Sequence, residues 1–258
     1  MTNKLTPFHK SRPYIIGLLV LALIGIALNS PIQPTGLIHS IPDEQDSFSF
    51  ATGTYIGNGI VLTNWHVLKM LRSRQEYFRL PLWNEHIYNF ELPIQWVIFT
   101  EKSIDLAIAK LPASALEWLN IDYACLSAEP VAAGDALSII SNPLGRYPPT
   151  SAHLTVTDPS SEPRLDLDLL VPAEKRYTAV SFATLVQPGQ EELIESGSSG
   201  GAVSNDAGEL VGLLWARYNL LDGSKEVLVT PVSAWLPLLK NAEIAPKYKQ
   251  YILEQVCK

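Results

Sequence analysis

From residue 47 to residue 230 the chain is a succession of short apolar segments broken by polar turns, the pattern of antiparallel strands. In the first half the segments are Thr54–Val67, Tyr77–Pro81, Ile94–Phe99 and Leu106–Leu111. In the second they are Ala136–Ile140, Leu169–Val171, Ala179–Leu185, Gly201–Val203, Leu210–Ala216 and Glu226–Thr230. Asn58-Gly59 between apolar runs is a strong hairpin signal. Ala113–Asn120 reads as a brief helix between the halves. Such spacing predicts an all-β fold of two antiparallel barrels, one over 47–118 and one over 124–230. Pro148–Arg176, polar and proline-bearing, reads as a long loop, with Arg164–Asp168 as a solvated edge strand within it. Tyr248, Ile252 and Val256 fall at helical spacing and predict a docking helix over Pro246–Val256, in a C-terminal extension covering 241–258.

One stretch departs from this pattern. Tyr14–Leu28 is continuously apolar, and no charge occurs between Arg12 and Asp43. Lys4, Lys10 and Arg12 precede the run and the next cation is Lys69, so the positive-inside rule keeps residues 1–13 in the cytoplasm and sends the rest across the membrane. Residues 14–30 match the length of a signal-peptide core or a short transmembrane span. The small-x-small triplet Gly25-Ile26-Ala27 lies inside the apolar run, and cleavage after Ser30 would leave Pro31 at the new N-terminus. Both features favour an uncleaved signal-anchor, with a cleaved signal peptide and a secreted protein as the alternative. Residues 31–46, with Pro31, Pro34 and Pro42, read as an extended linker. The expected location is a single-pass membrane protein whose folded part is periplasmic or otherwise extracytoplasmic.

Composition narrows the function classes. The 258 residues, 47% hydrophobic, can bury a full core. A net charge of −7, with no dense Lys/Arg run beyond Lys4–Arg12, excludes nucleic acid as the partner. Cys125 and Cys257 permit one disulfide in an exported protein, and a buried thiol with a frayed terminal one is the other reading. Neither cysteine has a histidine or aspartate in its motif, and no His-Glu-x-x-His spacing occurs, so no cysteine nucleophile, metal or other cofactor is expected.

Gly197-Ser198-Ser199-Gly200-Gly201 is the densest concentration of candidate chemistry. A serine hydroxyl needs a base to take its proton and donors to stabilise the oxyanion that follows. Glycine can turn its N–H beside that of Ser199, so Gly197 and Ser199 are the candidate oxyanion donors. All five histidines precede Ser199, whereas the α/β-hydrolase elbow needs its histidine after the serine, so that reading fails. His66 has the best context, just past an apolar strand and on a loop held by a sheet. Asp105 opens the apolar segment Leu106–Leu111, where a carboxylate needs a charged or N–H partner, and orienting an imidazole is one such role. Subtilisin order would require Asp43 or Asp46, which lie in the linker. The order His66, Asp105, Ser199 is that of the chymotrypsin-type triad.

With these residues in place the sequence resembles the trypsin-like serine proteases, and within them the bacterial HtrA/Deg-type branch. Leu62-Thr-Asn-Trp-His66-Val and Asp105-Leu-Ala-Ile look like the histidine and aspartate motifs of that family. Gly134-Asp-Ala-Leu-Ser-Ile-Ile-Ser-Asn-Pro-Leu-Gly145 is similar to its Gly-Asp…Gly-Asn-Pro-Phe-Gly segment, and Ile194-Glu-Ser-Gly-Ser-Ser199-Gly-Gly to its Ile-Asn-Pro-Gly-Asn-Ser-Gly-Gly. The resemblance implies a protease domain over 47–240 made of two six-stranded barrels, a terminal helix over Ser233–Asn241, and protein or peptide substrates. It makes His66, Asp105 and Ser199 the catalytic residues. Leu193 and Ile194 would lead into the floor of the substrate pocket, with Trp215, Ala216 and Arg217 on its wall. No carboxylate stands at that floor, which implies a small or medium apolar residue before the scissile bond. Ser198 replaces the aspartate of digestive trypsins, so activation by a new N-terminus is not expected. Only 241–258 follow the domain, too few for a PDZ module. A non-catalytic binding module on the same fold, or an esterase, would be the competing functions. The physiological substrate and the oligomeric state are left open.

Overall fold

The computed structural model describes residues 34–40, 50–71, 76–81, 89–94, 96–112, 125–165 and 178–257. The apolar run 14–28, the helix expected at Ala113–Asn120 and the strand expected at Leu169–Val171 lie outside them. No helix among the described residues is long and apolar enough to cross a membrane.

The first sheet comprises β1 (Thr35–Ser40), β2 (Phe50–Tyr55), β3 (Ile60–Thr63), β4 (Glu76–Pro81), β5 (Asn89–Pro93), β6 (Trp96–Glu101) and β7 (Leu106–Lys110). Its order is β5-β4-β1-β2-β3-β7-β6, antiparallel throughout. The expectation of a closed six-stranded barrel is therefore corrected here to a seven-stranded sheet, and its end strands share no pairing among the described residues. The added strand is β1, which lies in the stretch expected to be linker and pairs with both β2 and β4. Inside this sheet β3 and β7 are buried along their whole length, which explains their unbroken apolar runs.

The second sheet contains β8 (Ala136–Ser141), β9 (Thr150–Leu165), β10 (Thr178–Val186), β11 (Ala202–Ser204), β12 (Leu210–Asn219) and β13 (Lys225–Pro231). Pairing runs β10-β13-β12-β11-β8-β9, and β9 returns to β10, so this six-stranded ring closes. The loop expected over Pro148–Arg176 is instead strand for its first part, since β9 takes Thr150–Leu165. Prolines misled there: Pro163 lies opposite Val180, whose N–H donates instead to Ser103 O in the first half (2.9 Å). A strand tolerates a residue without an N–H where the ladder bond is not needed.

One short helix, α1 (Trp65–Leu71), follows β3, and two more close the chain. In α2 (Val232–Asn241), Val232, Trp235, Leu236 and Leu239 are buried at three- and four-residue spacing. α3 (Pro246–Glu254) buries Ile252, and Tyr251 Oη donates to Ile56 O (3.1 Å) at the β2–β3 turn. Both helices pack into one core with Ile60, Leu106 and Ile108 of the first sheet and Leu210 and Leu213 of the second. The sheets are thus joined through a shared apolar seam, while each keeps its own interior around Phe78 and Phe182. Cys125 and Cys257 form a disulfide (S–S 2.07 Å), which resolves the two readings of the cysteines. Beside it Leu126 N–H donates to Gln255 O (2.7 Å) and Cys257 N–H to Leu126 O (3.0 Å).

Candidate active site

β3 ends at Thr63, and Asn64 leads directly into a short helix, α1 (Trp65–Leu71). His66 therefore stands in the first helical turn, where the sequence suggested a loop. Beside it, a turn closed by Asp105 N–H on Lys102 O (3.1 Å) places Asp105 at φ +43°, a left-handed conformation that aspartate tolerates better than most residues. This turn directs the whole residue at the start of α1. The Asp105 carbonyl accepts from Trp65 N–H and from Asn64 Nδ2, each at 3.1 Å. Its Oδ1 accepts from His66 N–H at 3.0 Å, and its Oδ2 lies 2.8 Å from His66 Nδ1. Asp105 is fully buried. Burying a carboxylate costs several kcal/mol unless it is paired and hydrogen-bonded, and here both oxygens are engaged by one residue. With Nδ1 facing the carboxylate, the neutral imidazole carries its proton there and leaves Nε2 as the basic nitrogen.

Ser199 lies on the tight loop before β11, where carbonyls are held one after another. Ser196 O accepts from Leu144 N–H (2.5 Å), Gly197 O from Thr52 Oγ1 (2.7 Å) and Ser198 O from Gly201 N–H (2.9 Å). The C=O and N–H of a trans peptide point opposite ways, so fixing each oxygen also fixes the next N–H. The N–H of Ser198 meets Glu195 O (3.0 Å), whereas those of Gly197 and Ser199 donate to no described residue. Gly197 sits at φ +94° and Gly200 at φ +84°. A Cβ on Gly200 would stand 2.1 Å from Thr52 O, so only glycine fits. Ser198 is fully buried, and its hydroxyl accepts from Ser141 Oγ (3.1 Å) and from Glu195 N–H (3.2 Å). Neutral hydrogen bonds thus hold the position before Ser199.

Ser199 Oγ makes no hydrogen bond to His66. The connection between them runs through β2: Thr52 N–H donates to Ser199 O and Thr63 Oγ1 to Thr52 O, both at 2.8 Å. Thr54 Oγ1 adds a bond to Gly200 O (3.2 Å).

Beneath the loop, Lys225 is almost completely buried, and its ammonium donates at 2.7 Å to Glu191 O, Ile194 O and Glu195 Oε1. Glu195 Oε2 also pairs with Arg217 (2.9 Å), so one carboxylate joins β12 and β13 to the segment leading into Ser199. Of the residues expected around the substrate pocket, Ile194 is buried in the interior of the second sheet and Leu193 packs against the same cluster. Trp215 and Ala216 are buried with Ala179, Ala183 and Leu228, and Arg217 is half-buried in its ion pair. The metal-ligand grouping found among the described residues, Cys125, Glu209 and Cys257, is built on the disulfide, whose sulfurs are not thiolate ligands. Thr52, Thr63, Ser141, Asn142 and Lys225 were not signalled as site residues by the sequence. For Thr52, Thr63 and Ser141 the one clue was polarity inside or at the end of otherwise apolar runs, whereas Lys225 lies among polar hairpin residues.

Comparison with known proteins extends this picture. The fold is similar to that of the Rv3671c protease from M. tuberculosis in its active form, with a TM-score of 0.59 at 17% identity, covering 95% of this chain and 94% of that one. It is similar to Deg5, with a TM-score of 0.55 at 17% identity over 90% and 95% of the two chains. It is also similar to an HtrA-type protease with a tripeptide, with a TM-score of 0.55 at 16% identity over 83% and 62%. At these identities the likeness is one of fold. No curated protein matches the sequence. Residues 51–213 match the trypsin-like peptidase domain. That match runs from β2, which carries Thr52, to the strand behind Ser199, and by it the chain belongs to the family of trypsin-like peptidase domains, as a serine-type endopeptidase.

Proposed function

We propose that this chain is a membrane-tethered serine endopeptidase that works through a His66–Asp105–Ser199 triad and an acyl-enzyme. As Ser199 Oγ attacks the peptide carbonyl, its proton passes to His66 Nε2, and the Gly197 and Ser199 amides receive the oxyanion. The carbon–nitrogen bond then breaks, and the imidazolium returns the proton to the departing amine. Water activated by the same nitrogen hydrolyses the ester and frees Ser199. Asp105 holds the imidazole in the required tautomer and stabilises its charged form.

The observation that carries this reading is the buried Asp105 with both oxygens on His66, at 3.0 and 2.8 Å. A buried carboxylate committed to one histidine favours an orienting role over that of a turn cap. Ser199 and His66 engage when substrate is bound, since catalytic hydrogen bonds often tighten only in the complex. Residues 14–30 anchor the chain, with the protease domain extracytoplasmic, and exported or misfolded proteins are the substrates.

Fluorophosphonate labelling of the full chain tests the chemistry. Ser199→Ala is expected to abolish both labelling and cleavage of unfolded casein. Equal labelling of the variant would rule out Ser199 as nucleophile, and labelling without casein cleavage would favour a small ester substrate. Retention of Met1–Leu28 in membrane-bound mature protein would support the anchor.

A further inference from the structure

Thr52 occupies a place that packing alone does not explain. It is fully buried in the middle of β2, where a hydroxyl is costly unless it is bonded. Its Oγ1 has two partners, one from each side: Asn142 N–H at 2.9 Å and Gly197 O at 2.7 Å. A hydroxyl has one proton, and an amide N–H can only donate. Oγ1 must therefore accept from Asn142, and its proton is committed to Gly197 O. Its main chain is equally engaged, through Ser199 O on the N–H and Thr63 Oγ1 on the carbonyl.

We propose that Thr52 is the positioning residue that holds the oxyanion loop, so that the first sheet sets the geometry of the amides on the second. This rests on the reading of Ser199 as nucleophile. The peptide joining Gly197 to Ser198 is the middle one of three, and among the described residues Thr52 is the one side chain that holds any of their oxygens. Were that peptide to rotate, the N–H groups on either side of it would turn with it. Slack is small: a Cβ on Gly197 would come within 2.7 Å of Asn142 O, and one on Gly200 within 2.1 Å of Thr52 O. Asn142 precedes the turn whose Leu144 N–H holds Ser196 O, so Thr52 steadies two of the three carbonyls, one directly and one through its neighbour.

The test is saturation labelling of the full chain by a fluorophosphonate, whose phosphonyl oxygen needs the same amides. In Thr52→Val, which keeps the shape and removes the hydroxyl, the maximal labelling rate is expected to fall about a hundredfold, with the half-saturating concentration within about twofold. Thr52→Ser, which keeps the hydroxyl, is expected to stay within about threefold of wild type on both. A Thr52→Val protein that labels at the wild-type rate overturns the proposal. So does a change confined to the half-saturating concentration, or a loss that Thr52→Ser shares, since either points to packing. If Thr52→Val does not fold, Thr52→Cys replaces it, being a weak donor of serine's size. It is expected to label about tenfold more slowly than Thr52→Ser, and equal rates overturn the proposal. A wild-type chain that does not label removes the Ser199 reading and this one with it, whereas a labelled wild type beside an unaffected Thr52→Val removes only this one.

Discussion

His66 and Ser199 stand on different sheets, and their surroundings are built from different chemistry. Around His66 the means are charge and direct contact: one buried carboxylate reaches both the backbone and the ring of the same residue. Around Ser199 they are neutral and indirect, with carbonyls held by amides and hydroxyls, glycines at positive φ, and Lys225 below. A histidine that must bear a positive charge during reaction benefits from a fixed anion beside it. A loop that must present free N–H groups to a developing oxyanion benefits from having its own oxygens occupied elsewhere. Under the proposed mechanism, the two halves differ because they would stabilise charges of opposite sign.

Breaking the charged half should have the largest effect. In Asp105→Asn one of the two His66 donors would face an NH2 group, and the imidazole would lose its tautomer. A fall of about ten-thousandfold in the labelling rate is expected, with little change in fold by circular dichroism. A fall below tenfold would show that the carboxylate is a cap only.

On the neutral half the counterpart is Gly200→Ala. Its Cβ would meet Thr52 O at 2.1 Å, and φ +84° is unfavourable to alanine, so a loss on the order of 3 kcal/mol in denaturant melts is expected along with slowed labelling. Gly189, at φ +84° in open space, separates the two causes: Gly189→Ala should cost about 1 kcal/mol and leave labelling intact.

Lys225→Met probes the buried cation of the charged network on the Ser199 side. It strands two carbonyls and half of Glu195, so a loss of about 3 kcal/mol is expected from the unfolding midpoint. Little loss would mean that the neutral bonds and the Arg217–Glu195 pair suffice without it.

The smallest effect belongs to a charge on β9 that is held by residues of its own strand. Asp158 accepts from the Ser160 hydroxyl and from Arg164, which hold its carboxyl well below the usual carboxylate range. A lowered folded-state value means that the contribution is complete above about pH 4 and fades as pH falls through the lowered value. Wild type should therefore melt slightly above Asp158→Asn at neutral pH, with the gap closing in strong acid.

Legibility of the sequence followed the same divide. His66, Asp105 and Ser199, the residues of the proposed triad, could be singled out because each lies in a motif whose residue types have a chemical reason. Much of the strand pattern could be read as well, since β3, β7, β12 and β13 are apolar runs between turn residues. β1 could not, because Pro34 and Pro42 flank a stretch too short and mixed to stand out. Thr52 and Lys225 were hidden for another reason. A threonine in a strand is ordinary by propensity and a lysine near a hairpin reads as solvated, so only the fold reveals what they touch. Trp215 and Ile194 show the converse, since an apolar residue gives no sign of whether it faces a substrate or a core.

The disulfide has a consequence for a molecule of this class in the company of its own kind. Cys125 and Cys257 are 132 positions apart, and the covalent ring between them encloses the whole second sheet, Ser199 included. Among the described residues of that ring, the β12–β13 hairpin tip is open, with Leu221 fully exposed. A neighbouring copy that cut there would linearise the ring without releasing a fragment. Ser199 and Lys225 would remain on one tethered molecule, and self-digestion at this tip would show on a gel only after reduction.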